Sequence, residues 1–185
     1  MKYQTSLLED WIKDFYINLE INEPHQLDLL DIAYRMGLNV IFKDISSRFY
    51  DKEVIIDERL SKPEQWQEFG HELCHALRHN GNQLVMDKSF IELQEYQANN
   101  FMHHFCVPTF MLQKIKFPRF RSRAICLIAS TFGVTFPFAN KRLEMYENRV
   151  NGVLFHHEYV NSLDNVPSIH EEPCIINLDY ELIPK

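Results

Sequence analysis

The chain has no run of about 18 apolar residues, so no segment is expected to cross a bilayer as a helix. Its first nineteen residues include Lys2, Glu9, Asp10, Lys13 and Asp14, which interrupt the apolar core that a secretory signal needs. Cysteine is sparse: Cys74, Cys106, Cys126 and Cys174 are irregularly spaced, and no CxxC pair offers a thiolate metal site. Without an export signal they read as reduced thiols, and the chain reads as cytoplasmic. Positive charge is also short, 19 basic against 26 acidic residues for a net −7, which argues against general affinity for nucleic acid. There is no internal repeat and no low-complexity tract. What is present is ordinary globular material, 45% hydrophobic and 24% charged. That suffices for one core, and 185 residues fit one domain with at most a small helical appendage.

Leu7, Leu8, Trp11, Ile12 and Phe15 recur at helical spacing and predict an amphipathic first helix. Asn22 is placed to cap a second helix, with Pro24 near its start, a stripe from Leu27 to Met36, and Gly37 as its stop. Leu38–Phe42 and Glu53–Ile56 read as strands, with Arg48–Tyr50 a weaker third. Ser61 and Glu64 have capping-box form, with Pro63 tolerated in the first turn, and Asn80-Gly81 supplies a stop. Ser89 and Glu92 form a similar pattern, opening a helix that runs to about Cys106 and ends at Val107-Pro108. Thr109–Lys116 reads as helical. Arg121–Thr131, a Phe132-Gly133-Val134 turn and Thr135–Tyr146 make a helix–turn–helix pattern. Val153–Phe155 and Cys174–Leu178 look strand-like.

The chemistry lies in His71-Glu72-Leu73-Cys74-His75, an HExxH motif. On a helix, positions i and i+4 share a face, so two imidazoles converge on one ion. Zinc accepts such nitrogens, needs a third protein ligand and leaves one position open. Glu72 is set to one side of that face, where it can take a proton from water. On a helical wheel of about 100° per residue, Trp66, Gly70, Leu73 and Leu77 form the buried stripe, with the histidines opposite. The wheel alone does not separate solvent-facing histidines from histidines lining a cleft. In the next helix Glu95 falls within the apolar stripe of Ile91, Ala98, Met102 and Phe105, where a carboxylate is costly unless something positive meets it. Glu95 is therefore preferred as third ligand over Glu92, whose capping-box position gives it another task.

HELCHALRH followed by EYQANNFMHHFCVP resembles the ImmA/IrrE family of metallopeptidases, over about residues 25–145. The resemblance implies His71, His75 and Glu95 as ligands of one Zn2+ and Glu72 as catalytic acid/base. The spacing is also similar to thermolysin-like peptidases, in which the residue one turn after the glutamate supports a ligand histidine; Asn99 occupies that place. Cys74 stands where the family usually has Gly, and Phe105-Cys106-Val107-Pro108 replaces the commoner Leu-Leu-Met-Pro. The implied fold is α+β: a zincin-like metallopeptidase domain with a small sheet over residues 1–116, a helix-turn-helix-like bundle over 117–150, and a C-terminal tail with strand-like segments over 151–185. The implied activity is a zinc endopeptidase that cuts a regulatory protein, typically a helix-turn-helix repressor of a phage or mobile element.

Other residues are weighed against this site. His79 continues the i, i+4 series but lies about 12 Å of helix rise from His71, so it reads as structural or as support for a ligand. An oxyanion donor is sought among His103, His104, Tyr96, His156 and His157, with His103 the first choice. Cys74 reads as an inert buried thiol. Lys114, Lys116, Arg119, Arg121, Arg123, Lys141, Arg142 and Arg149 concentrate charge around the helix–turn–helix pattern, which would suit DNA or simply be solvated. An extended substrate is expected to add beside Val54–Ile56. Two other readings stand against the enzyme: a non-cleaving regulator that binds DNA or a repressor, and a zinc-stabilised interaction module.

Overall fold

The computed structural model describes residues 3–78 and 86–164. Helix α1 (Leu7–Asn18) starts at a capping box in which Ser6 and Glu9 satisfy each other's backbone N–H groups. The predicted second helix is split. The Gln26 side chain accepts from the Asn22 and Glu23 N–H groups and closes a 3-10 turn at Pro24–Gln26. Asp28, not Asn22, then caps α2 (Leu29–Arg35) through the Asp31 N–H. Gly37 does end it, at φ +70, a conformation that costs glycine little.

All three predicted strands are present: β1 (Asn39–Lys43), β2 (Arg48–Tyr50) and β3 (Glu53–Asp57). Their order is β1-β3-β2, with β1 parallel and β2 antiparallel to β3. Val54–Ile56 therefore lies in the central strand, hydrogen-bonded on both sides. The expected docking strand is corrected on that ground, and the free edge near the motif belongs to β2. Val54 and Ile56 are buried and Phe49 packs beside them, so one face of the sheet lies on the core.

Helix α3 (Lys62–Arg78) and helix α4 (Lys88–Cys106) pack closely. The contact has no room for a side chain at Gly70: a Cβ there would sit 2.9 Å from the Cys106 Sγ and 3.4 Å from the Phe105 Cδ1. Trp66, Phe69, Leu73 and Cys74 are buried in this core. Leu77, expected there, is 40% exposed, because the stripe turns away from the core in the last helical turn. Asp87, not Ser89, caps α4 by accepting from the Ser89 N–H, so the Ser89–Glu92 box is not formed. Glu92 is instead an exposed partner of Lys88. The predicted stop at Asn80-Gly81 lies outside the described residues.

Helix α5 is a single turn (Thr109–Leu112), shorter than the predicted Thr109–Lys116. Helix α6 (Arg121–Phe132) ends on Gly133 at φ +63 and meets α7 (Phe136–Asp164) at 111°. Helix α7 continues well past Tyr146, because no proline or turn interrupts it. Val153–Phe155 is therefore helical, not a strand, and the expected boundary at residues 150/151 falls inside a helix. Cys174–Leu178 lies outside the described residues. No single described helix is long and apolar enough to cross a membrane.

A buried polar group ties α1, α5 and α7 together. Arg142, with 0% exposure, donates from Nε to the Val107 carbonyl at 3.1 Å and from Nη2 to the Thr109 hydroxyl at 2.7 Å. The Thr109 hydroxyl in turn donates to Glu9, which also accepts from the Tyr3 hydroxyl at 2.8 Å.

Filling the gap at Gly70 would force α3 and α4 apart. Gly70→Val should lower the stability of the fold by about 2–3 kcal/mol, read from the midpoint of urea unfolding; an unchanged midpoint would mean that the helices have slack there.

Candidate metal centre

Helix α3 presents His71 and His75 one turn apart, and α4 brings Glu95 across from them. The two Nε2 atoms lie 3.1 Å apart. Glu95 places Oε2 at 3.2 Å from the His71 Nε2 and Oε1 at 3.4 Å from the His75 Nε2. The imidazoles are largely enclosed, at 16% and 14% side-chain exposure, whereas Glu95 is open at 42%. Glu95 thus sits on the rim of its helix's apolar stripe, facing the histidines, rather than inside it. Ala98 and Phe105 are buried, while Ile91 and Met102 are partly covered.

These spacings suit an ion. A tetrahedral centre with bonds of about 2.0–2.1 Å needs ligand atoms about 3.3–3.4 Å apart, close to the three distances found. Two imidazole nitrogens facing each other across 3.1 Å also need a proton or a cation between them, since two lone pairs repel. Among the described residues, His71, His75 and Glu95 are the group of His, Cys, Asp and Glu side chains able to hold a metal ion.

Glu72 is buried beside this triad, with 8% exposure. Burial pushes its carboxyl up to about 7, and the Glu68 and Glu95 carboxylates add to that. The Phe49 backbone N–H and the Arg48 guanidinium, both on β2, act in the opposite direction. The carboxyl is therefore next to the metal position and under the free edge of the sheet, poised between acid and base near neutrality.

Among the described residues, Asn99 and His103, expected from sequence to support the site, make their contacts elsewhere. Asn99 is exposed, and its Nδ2 donates to the Glu95 backbone carbonyl at 2.8 Å; that holds the helix carbonyl rather than a histidine ring. The His103 ring packs at a tilt against Phe138 of α7, 4.3 Å between ring centres, and is not one of the three side chains of the triad. Its neighbour His104 approaches Glu9 at 3.8 Å. Tyr96 is 70% exposed, and His156 is exposed on α7. His79 and the side chain of His157 lie outside the described residues. Cys74 is buried, and burial pushes its thiol up to about 11, as expected of an inert group. Sequence reading missed Phe49 and Arg48: the strand was legible, but its passage over Glu72 was not.

Most of the basic residues around α6 and α7 are engaged within the molecule. Arg142 is buried, Arg121 pairs with Glu147, Lys141 with Glu144 and Lys114 with Glu23. Arg149 donates to the Gln4 carbonyl, and Arg123 stacks over Phe120.

The family model named Peptidase M78 and described as the IrrE N-terminal-like domain matches residues 34–144. The phage-like element PBSX protein XkdA of Bacillus subtilis (strain 168) is 45% identical over 172 residues, covering 90% of this chain and 87% of that protein. Uncharacterized protein YqaB of the same organism is 37% identical over 159 residues, covering 84% of this chain and 92% of its own length.

Two measurements follow from this geometry. Glu95→Ala should weaken Zn2+ binding by at least about 100-fold, since even indirect supporters of a ligand are worth about 10- to 100-fold. Glu92→Ala should leave it unchanged in competition with a chromophoric chelator, and the reverse ranking would assign the third ligand to Glu92. Burial, aided by Arg142, lowers both His103 and His104 from 6.5 to about 4. The unfolded chain therefore takes up these protons first, and stability should fall as pH drops from about 6.5 toward about 4. His103→Phe, which keeps a ring on Phe138, should flatten that fall in urea midpoints; an equally steep fall would mean that the ring is already protonated when folded.

Proposed function

Because this chain belongs to the Peptidase M78 family, the IrrE N-terminal-like group, we propose that it is a zinc-dependent endopeptidase that cuts a regulatory partner protein. One observation carries the reading: three donor atoms at 3.1–3.4 Å from one another, with the buried Glu72 carboxyl beside them. His71, His75 and Glu95 would hold the ion, and their two nitrogens and one oxygen suit zinc. When bound, the ion supplies Lewis acidity toward the scissile carbonyl and toward water.

The chain's own residues perform the rest. Glu72, buried beside the ligands, takes the proton of the attacking water and then delivers it to the leaving amine. An extended peptide adds to the free edge of β2, beside the Phe49 N–H from which Glu72 accepts. Main-chain pairing of this kind holds the scissile bond over Glu72 without demanding a particular sequence.

The similarity to a protein named for a phage-like element supports a substrate of the same kind, a helix-turn-helix repressor of a phage or mobile element. The Gly133 turn and the 111° angle between α6 and α7 suit a helix-turn-helix-like bundle. With its basic residues largely engaged internally, that bundle acts as a packing unit rather than a DNA reader.

The test is to incubate the protein, zinc-loaded or treated with chelator, with repressors encoded beside its gene. Cleavage should need the metal, and Glu72→Gln should slow it by about 100- to 10,000-fold while keeping metal and fold. Regulation that survives Glu72→Gln intact would instead identify a non-cleaving regulator.

A further inference from the structure

The face of α3 that carries the motif extends toward the start of the helix. At about 100° per residue, Glu64, Glu68, His71, Glu72 and His75 fall within about 100° of arc. Glu64 is occupied, its Oε2 accepting from the Ser61 N–H at 2.8 Å and from the Ser61 hydroxyl at 2.6 Å. Glu68 is not. It is partly buried, one turn before Glu72, and makes no ion pair or side-chain hydrogen bond among the described residues. It is near enough to Glu72 to act on it electrostatically. Arg48, on the overlying strand, does not pair with it; the Arg48 Nε donates to the Ser46 carbonyl at 3.2 Å.

Glu68 has no cationic partner among the described residues, so an arriving cation would meet a carboxylate able to pair with it. The place from which one would arrive is defined. On the proposed function a peptide on the β2 edge passes by Glu72, and Glu68 is one helical turn away on the same face. Residues four apart on a helix are separated by about 6 Å of rise, and side chains on one face of an extended strand by about 6.6 Å. A substrate side chain within two positions of the bond over Glu72 therefore reaches Glu68.

We propose that Glu68 is a specificity-determining residue that receives a lysine or arginine side chain of the substrate within two positions of the scissile bond. This rests on the hydrolase reading and deepens it by naming the substrate class, a segment with a basic residue beside the cut.

The experiment uses three fluorescein-labelled 12-residue peptides that differ only at one central position, Lys, Gln or Glu, set between apolar residues. Binding to the full-length, zinc-loaded Glu72→Gln protein is read by fluorescence anisotropy. The Lys peptide should bind about five- to tenfold more tightly than the Gln peptide, and the Glu peptide least well. Adding Glu68→Gln should bring the Lys-to-Gln ratio close to one, and Glu68→Lys should make the Glu peptide the best ligand. Equal binding of all three peptides, or a ratio untouched by Glu68→Gln, overturns the assignment. Offering the same peptides to the unmutated protein separates the two claims. Lys-selective binding without cleavage supports Glu68 and removes the hydrolase reading; cleavage without charge preference does the opposite.

Discussion

The close packing of α3 on α4 is the constraint on which the site depends. Two imidazoles one turn apart are a property of one helix, but the third donor is useful only if the neighbouring helix approaches closely and in register. Gly70 permits that approach by leaving its space to Cys106 and Phe105. Aromatic packing among Trp66, Phe69, Phe101 and Phe105 then fixes the depth of contact. A rigid, well-packed core transmits position from one element to the next with little loss. Glu95 consequently meets both rings without being buried, and the full desolvation cost of a carboxylate is avoided.

The opposite ends of α4 carry different chemistry. Near Glu95 the helix contributes to an open, polar site. About two turns further on, His103 and His104 are partly buried among Phe138, Arg142 and Glu9. There the polar atoms are structural: Arg142 braces the Val107 carbonyl and Thr109, and Glu9 links that group to the start of α1. Buried groups of this type specify one arrangement of helices, because any other leaves charges unpaired. Three atoms there, the His103 Nδ1, His104 Nδ1 and Arg142 Nη1, make no hydrogen bond among the described residues. The accessory helix α1, which precedes the family-matched span, is thereby joined to the domain by polar contacts as well as by Tyr16 against Phe105.

Charge is distributed with the same economy. Much of the positive charge around α6 and α7 is engaged in internal pairs and carbonyls, whereas Glu68, on the motif face of α3 next to Glu72, has no ion pair among the described residues. A bound cation would relieve the mutual repulsion of Glu68, Glu72 and Glu95, so ion and carboxylates stabilise each other's presence.

The elements and the motif were legible because they rest on local regularities: helical spacing, β-branched runs, Gly37 and Gly133 as stops, and i, i+4 histidines. Glu95 was legible as a carboxylate where apolar residues should be, although its supposed rival was set aside for a capping box that Asp87 in fact replaces. Local rules failed where side chains or distant elements compete. Gln26 and Asp28 divide the second helix, and α7 runs through Val153–Phe155 because nothing stops it. The sequence by itself determined which atoms are available to bind a metal, since residue type and helical period set donor chemistry and mutual reach. Only the tertiary structure decided that Glu95 completes the triad, that His103 and Asn99 do not join it, and that the β2 edge rather than β3 overlies Glu72. Those outcomes depend on the crossing of α3 with α4 and on strand order, which no local interaction encodes.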